Sequence, residues 1–181
     1  MDNLLFPVKL GPLFGLMLAV LHGCGYRSVY AEFPGKVRLS VAAPKSRVAY
    51  LGAVGGAVDG LRTALSQNAA YSWSDGYPRV ELEVVRVDER PVGVLELKPG
   101  VPLGRGSEVS VTARAWVLSA KGEAPTRSTG DVRRTRAYGH AAGAAANNVE
   151  REKAIRRAAE ATGQALAERI LGLPVASDDL P

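Results

Sequence analysis

Leu10 to Leu21 is an uncharged run of 12 residues, and its nature decides how much of the chain can fold. A helix needs about 20 apolar residues to cross the roughly 30 Å hydrocarbon layer of a bilayer, so this run is too short to span one. It has the length of a signal-peptide core, and the small residue Gly23 stands where a signal peptidase would cut. The flank before it is weakly basic, because Asp2 cancels Lys9. Residues 1–23 are therefore expected to be a removable signal, and the folded domain must be built from what remains. The residue after Gly23 is Cys24, the only cysteine of the 181 residues. A disulfide framework and a thiolate metal cage are both excluded by that count.

Composition narrows the chemistry further. The chain is 46% hydrophobic and 23% charged, which are globular proportions. Its 2 histidines, His22 and His140, leave one imidazole after signal removal. His140 is followed by alanines and glycine, and no G-x-S-x-G nucleophile elbow occurs, so it reads as a solvated loop histidine rather than a catalyst. Leu51 to Gly56 is glycine-rich but lacks the lysine and Ser/Thr of a phosphate loop and the G-x-G-x-x-G spacing. Those glycines suit a tight contact between a helix and a sheet. No cofactor, no metal and no enzymatic activity are expected.

The pattern of the remaining chain predicts one α+β domain over residues 36–173, preceded by a tether over 24–35 and followed by a frayed tail over 174–181. Val37, Leu39 and Val41 alternate with polar or small residues and mark a half-buried strand stopped by Pro44. Val54, Val58, Leu61 and Leu65 recur at helical spacing. A second strand runs from about Pro78 to Glu89. Its apolar parity changes at Val84–Val85, which predicts a β-bulge or a strand covered on both faces. Residues 91–106, rich in proline and glycine, read as a long hairpin connection that Val94, Leu95 and Leu97 could shorten by extending the strands. Ser107 to Ser119 is a third strand with Val109, Val111, Ala113, Ala115 and Val117 facing inward. Thr126 to Tyr138, rich in threonine and arginine, has the character of an edge strand. After a small-residue loop over 139–146, Asn147 or Asn148 is expected to cap a last helix, with Glu150 and Glu152 at its positive end. Ile155, Ala158, Ala159, Thr162, Leu166 and Ile170 form its apolar stripe, and Gly172 and Pro174 end it. The expected architecture is a β-α-β-β-β-α sandwich: a four-stranded, mostly antiparallel sheet with both helices on one face.

Arg133, Arg134 and Arg136 on the fourth strand, with Arg86 and Arg90 leaving the second and Arg105 in the long connection, form the basic constellation. Guanidinium groups pair with phosphate and carboxylate in a planar, two-pronged way. Strand alternation puts Arg133 on the face opposite to Arg134 and Arg136. The plainer reading is that these charges protect a sheet edge from aggregation. Val85 is a candidate contact for a partner.

Leu21-His22-Gly23-Cys24 resembles the lipobox of bacterial lipoproteins, in which the cysteine is acylated and becomes the mature N-terminus. The triacyl anchor implied by that resemblance would supply the more than one chain that stable anchoring requires. Gly25 in place of an aspartate favours the outer membrane. Cys24-Gly25-Tyr26-Arg27 followed by the element order above is similar to the lipopolysaccharide-assembly lipoprotein LptE family. Val80 to Val85, Val109 to Leu118 with its hairpin to Thr126, and the ending Arg151 to Leu171 carry the likeness. The resemblance implies a periplasm-facing protein that plugs and helps assemble a large outer-membrane β-barrel partner of the LptD kind. It also implies that the protein binds lipopolysaccharide on its way to the surface. On that reading Cys24 is the lipid anchor and Arg90, Arg105, Arg133, Arg134 and Arg136 are the ligand-binding residues; nucleic acid is not a partner. The alternative is another outer-membrane lipoprotein of similar shape, such as a cell-wall synthase activator or an auxiliary subunit of a lipid transporter.

Overall fold

In the computed structural model the described residues are 37–42, 45–46, 48, 50–94, 105–140 and 143–174. The signal, Cys24, the tether and the tail expected after Pro174 lie outside them. Two strand fragments, β1 (Ser40–Val41) and β2 (Lys45–Ser46), precede helix α1 (Leu51–Gln67). Three long strands follow, β3 (Arg79–Val94), β4 (Arg105–Leu118) and β5 (Arg127–Gly139), and helix α2 (Ala144–Leu171) closes the described chain. The fragments pair in parallel with successive stretches of β3, Ser40 opposite Arg79 and Lys45 opposite Glu83. β1 falls within the first strand that the alternation predicted, whereas β2 lies beyond Pro44, where that strand was expected to stop. With them counted as one, the sheet is four-stranded in the order β1/β2, β3, β4, β5, and the β-α-β-β-β-α architecture is as expected. The β3–β4 and β4–β5 pairs are antiparallel.

β4 owes its central place to its alternation. Val109, Val111, Ala113, Ala115 and Val117 are all buried on the helix-bearing face, opposite Val80, Leu82 and Val84 of β3. The ladder between β3 and β4 slips where the parity of the sequence changes. Val84 pairs with Ala113 and Arg86 with Thr112, so Val85 is the extra residue of a bulge. The slip lets Val87 return to the inner face, where it packs on the core. Val85 is half-buried and does not belong to the core.

Gly56 and Gly60 of α1 do not face the sheet, as the sequence suggested, but the backbone of α2. The contacts of Gly56 with Arg156 and Ala159, and of Gly60 with Glu160, run in the same order along both helices, so the pair is parallel. A Cβ on Gly60 would stand 2.8 Å from the carbonyl carbon of Glu160, and one on Gly163 would stand 2.7 Å from the amide nitrogen of Leu61. Only glycine permits that approach. α2 in turn lies on β4 and β5, where the Thr162 hydroxyl donates to the Val111 carbonyl at 3.2 Å.

α2 starts earlier than Asn147. Gly143 is its N-cap residue, no side chain caps it, and its first turn holds no acidic residue. Ala144–Ala146, strong helix formers, extend the helix back over the expected loop. Its stripe is as predicted, with Ile155, Ala158, Ala159, Thr162, Leu166 and Ile170 all buried. Gly172 ends it in the left-handed region at φ 70°, and Leu173 N–H bonds the Glu168 carbonyl at 2.8 Å. No described helix is long and apolar enough to cross a membrane.

Candidate functional site: an arginine-lined sheet edge

β5 is the last strand of the sheet, so one side of its backbone has no ladder partner. Along it runs a groove of about 490 Å³ lined by Arg90, Glu108, Arg133, Arg134, Thr135, Arg136 and Arg169. Five of these seven side chains are guanidinium groups and one is a carboxylate. Register places Arg133 opposite Thr112 on the outer face, and Arg134 and Arg136 opposite Val111 and Val109 on the helix-bearing face. The groove therefore wraps the edge and collects cations from both faces.

Of the residues expected from the sequence, Arg90, Arg133, Arg134 and Arg136 come together here. Arg90 does so already paired, its Nη2 lying 2.8 Å from Oε1 of its cross-strand neighbour Glu108. Arg105 opens β4 in register with Val94, and its side chain lies outside the described residues. Arg169, from the last turn of α2, is the member that sequence reasoning missed. No local pattern distinguishes it from the other helix arginines; only the packing of α2 on β5 brings it to the edge.

The arginines also act on the strand itself. Arg169 Nη1 donates to the carbonyls of Thr129 at 3.1 Å and Asp131 at 3.4 Å. Arg134 Nη1 donates to the Arg133 carbonyl at 3.2 Å, and Arg136 Nη1 to the Thr135 carbonyl at 3.0 Å. Residues 131, 133 and 135 are two apart on regular strand, so their carbonyls lie on one side; the bulge at 129–130, where Gly130 has φ 65°, brings the Thr129 carbonyl to the same arginine as that of Asp131. Each of these four acceptors is met by a guanidinium group. Arg133 and Arg136 form no ion pair among the described residues.

At one end of the groove a second polar chain links strands and helices. The Glu89 carboxylate accepts the Tyr138 hydroxyl and, at 2.7 Å, the Arg151 Nε–H. Arg151 also reaches the Tyr50 hydroxyl at 3.1 Å. Burial pushes the Glu89 carboxyl up, but the donors on Tyr138 and Arg151 outweigh it and hold it below the usual carboxylate range. Burial and the Glu89 carboxylate raise the Tyr138 phenol. Hydrogen bonds to Glu89 and to Tyr50 raise the Arg151 guanidinium above its ordinary value. His140 is exposed, as expected of a loop histidine, yet it is not alone: its Nε2 lies 2.9 Å from Ser107 Oγ. Ser107 is 6% exposed, and the hydrogen bond ties the end of β5 to β4.

No protein-family model matches the chain, and no curated protein matches it. Solved structures do. A candidate lipoprotein from Caulobacter crescentus CB15 superposes with a TM-score of 0.51 at 17% identity, covering 73% of this chain and 86% of that one. A minor lipoprotein from Acinetobacter baumannii gives a TM-score of 0.49 at 16% identity, with 77% and 96% covered. Rare lipoprotein B from Shewanella oneidensis gives 0.38 at 15% identity, with 74% and 92% covered. The Caulobacter protein and this chain share a fold: an α+β sandwich with one helix-covered face.

Proposed function

We propose that the chain is an outer-membrane lipoprotein, anchored through Cys24 and facing the periplasm. On this reading it plugs and helps assemble a β-barrel partner and binds lipopolysaccharide for delivery to the surface. The groove on β5 is the observation that carries the ligand: five arginines gather there, with Arg90 paired to Glu108. The phosphates and carboxylates of a lipopolysaccharide headgroup are the acceptors that fixed guanidinium groups suit. The lipobox-like Leu21–Cys24 and the fold shared with a candidate lipoprotein support the anchor. The outer sheet face, where Arg86 and Arg133 are exposed over the buried Ser110 and Thr112, is polar enough to meet the polar lumen of a barrel.

Replacing both Arg134 and Arg136 by glutamate is expected to lower lipopolysaccharide binding and its salt sensitivity while leaving recovery of the barrel partner unchanged. A double variant that binds the lipid as well as the parent at low and at high salt overturns the site. A second reading has its own observation, the four capped carbonyls. If the arginines serve only to close the edge, glutamates in their place still charge it, and the same variant should stay unassociated and keep its lipid binding. Affinity capture from detergent-solubilised outer membrane separates the barrel reading from its rival. A large barrel protein supports the plug, whereas a peptidoglycan synthase replaces it with an activator role.

A further inference from the structure

Trp73 is the most exposed large apolar side chain among the described residues, at 89%. It is also held in that position rather than left there. Its loop joins α1 to β3 and is fastened to β1 on both sides. Ser72 N–H bonds the Leu39 carbonyl at 2.9 Å, and Ser40 Oγ bonds the Gly76 carbonyl at 2.5 Å. Tyr71 packs on the core and presents its ring to Trp73 edge-on, with centroids 4.9 Å apart and planes at 77°. Ser72 and Ser74 hydroxyls, 2.8 Å apart, brace the backbone on either side of the indole. A side chain that merely lacks a place in the core does not need such a mount.

β1 is also where the chain arrives from Cys24. Thirteen peptide units separate Cys24 from Val37. They span at most about 45 Å. The end of the sheet that carries Trp73 is thus the end that such an anchor would keep beside a bilayer. Indole prefers the headgroup layer, where its ring is out of water and its N–H still finds acceptors. We infer that Trp73, mounted on Tyr71, seats in the lipid headgroup layer next to the acyl anchor and fixes the orientation of the domain on the membrane. This inference rests on the Cys24 anchor of the reading above.

The test uses the acylated chain on vesicles of phosphatidylethanolamine and phosphatidylglycerol brominated near the carbonyl end of their acyl chains. The chain has 2 tryptophans, Trp73 and Trp116, so the difference between the parent and Trp73→Phe isolates the emission of Trp73. That emission is expected to shift to the blue and to lose about half its intensity on brominated vesicles. Trp73→Ala should keep the parent's unfolding midpoint, since the indole touches little besides Tyr71. A chain that sediments with the vesicles while Trp73 emits unquenched from water overturns the inference and leaves the anchor standing. A chain that does not sediment at all overturns both. Shielding of Trp73 only after outer-membrane proteins are added also overturns it, because the occupant is then a protein.

Discussion

Placing one methyl group on α1 asks how tightly the two helices are joined. At Gly60 an alanine Cβ would lie 2.8 Å from the Glu160 carbonyl carbon and 2.9 Å from its Cα, and closer still to the carbonyl oxygen. The obstacle is backbone, so no rotamer can yield and the helices must part by on the order of 1 Å, at an overpacking cost of about 3 kcal/mol. Alanine's better helix propensity returns about 1 kcal/mol. Gly60→Ala should therefore destabilise the domain by about 2 kcal/mol. Gly55, one residue before the tight face, has nothing within 4 Å of its own hypothetical Cβ. There the propensity acts alone, and Gly55→Ala should stabilise by about 1 kcal/mol. The two substitutions are chemically identical and sit on the same helix, so the gap of about 3 kcal/mol measures the helix contact alone. Urea unfolding followed by circular dichroism should separate their midpoints by about 1–2 M. If Gly60→Ala matches or exceeds the parent, or Gly55→Ala falls with it, the close parallel pairing of the helices is wrong.

Three further outcomes are expected. Cys24→Ala should leave the protein without palmitate label and release it from membranes; unchanged partitioning with full label would remove the anchor. Val85→Asp, at a half-buried bulge residue outside the core, should shift the unfolding of the domain by less than about 1 kcal/mol. The same change should reduce recovery of the barrel partner strongly, and equal losses in both assays would make Val85 a core residue after all. The folded-state pKa of Glu89 lies below its unfolded value. The stability it contributes is therefore present above about pH 4.3 and is lost as pH falls through the lower folded value. Unfolding midpoints at pH 6 and pH 3 should converge between the parent and Glu89→Gln at the lower pH, and a variant with the parent's full acid sensitivity would exclude Glu89 as the source.

The sequence revealed the parts of this fold that depend on neighbours one or two positions away. Alternation from Val109 to Val117 marked the central strand, and the parity change at Val84–Val85 marked the place of a bulge or of a doubly covered strand, between which the ladder decides for a bulge. Strand geometry separated Arg133 from Arg134 and Arg136. What stayed hidden depends on partners far along the chain. The glycines of α1 suggested a close contact, but nothing in the sequence says whether a sheet or a helix approaches; Gly163 supplies the other half of the contact. Likewise Glu108 neutralises Arg90 only because β3 and β4 pair in that register. The chain from His140 through Ser107, and from Tyr138 through Glu89 to Arg151, joins residues that are adjacent only after folding. The start of α2 was misplaced for a different reason: Asn147 has the right chemistry for a cap, but alanines before it favour helix and Gly143 offers an earlier boundary.

The two uses of the β5 arginines, closing an edge and holding an anion, are less opposed than they first look. A guanidinium group carries five N–H donors in a fixed fork. The bonds that Arg136 and Arg169 make to strand carbonyls use Nη1, which leaves their donor count far from exhausted. Those bonds also lay the side chains along the edge instead of leaving them free in water, so part of the rotamer entropy that binding would remove is already gone. A headgroup phosphate entering the groove would meet cations held in place by the strand it must not pair with. Edge protection alone predicts charge spread along the strand, and Lys, Glu or Pro would serve it as well. The structure instead draws guanidinium groups from β3, β5 and α2 to one edge of the sheet, Arg169 across from another element altogether. That convergence favours a site over a fence, and the fence comes with it.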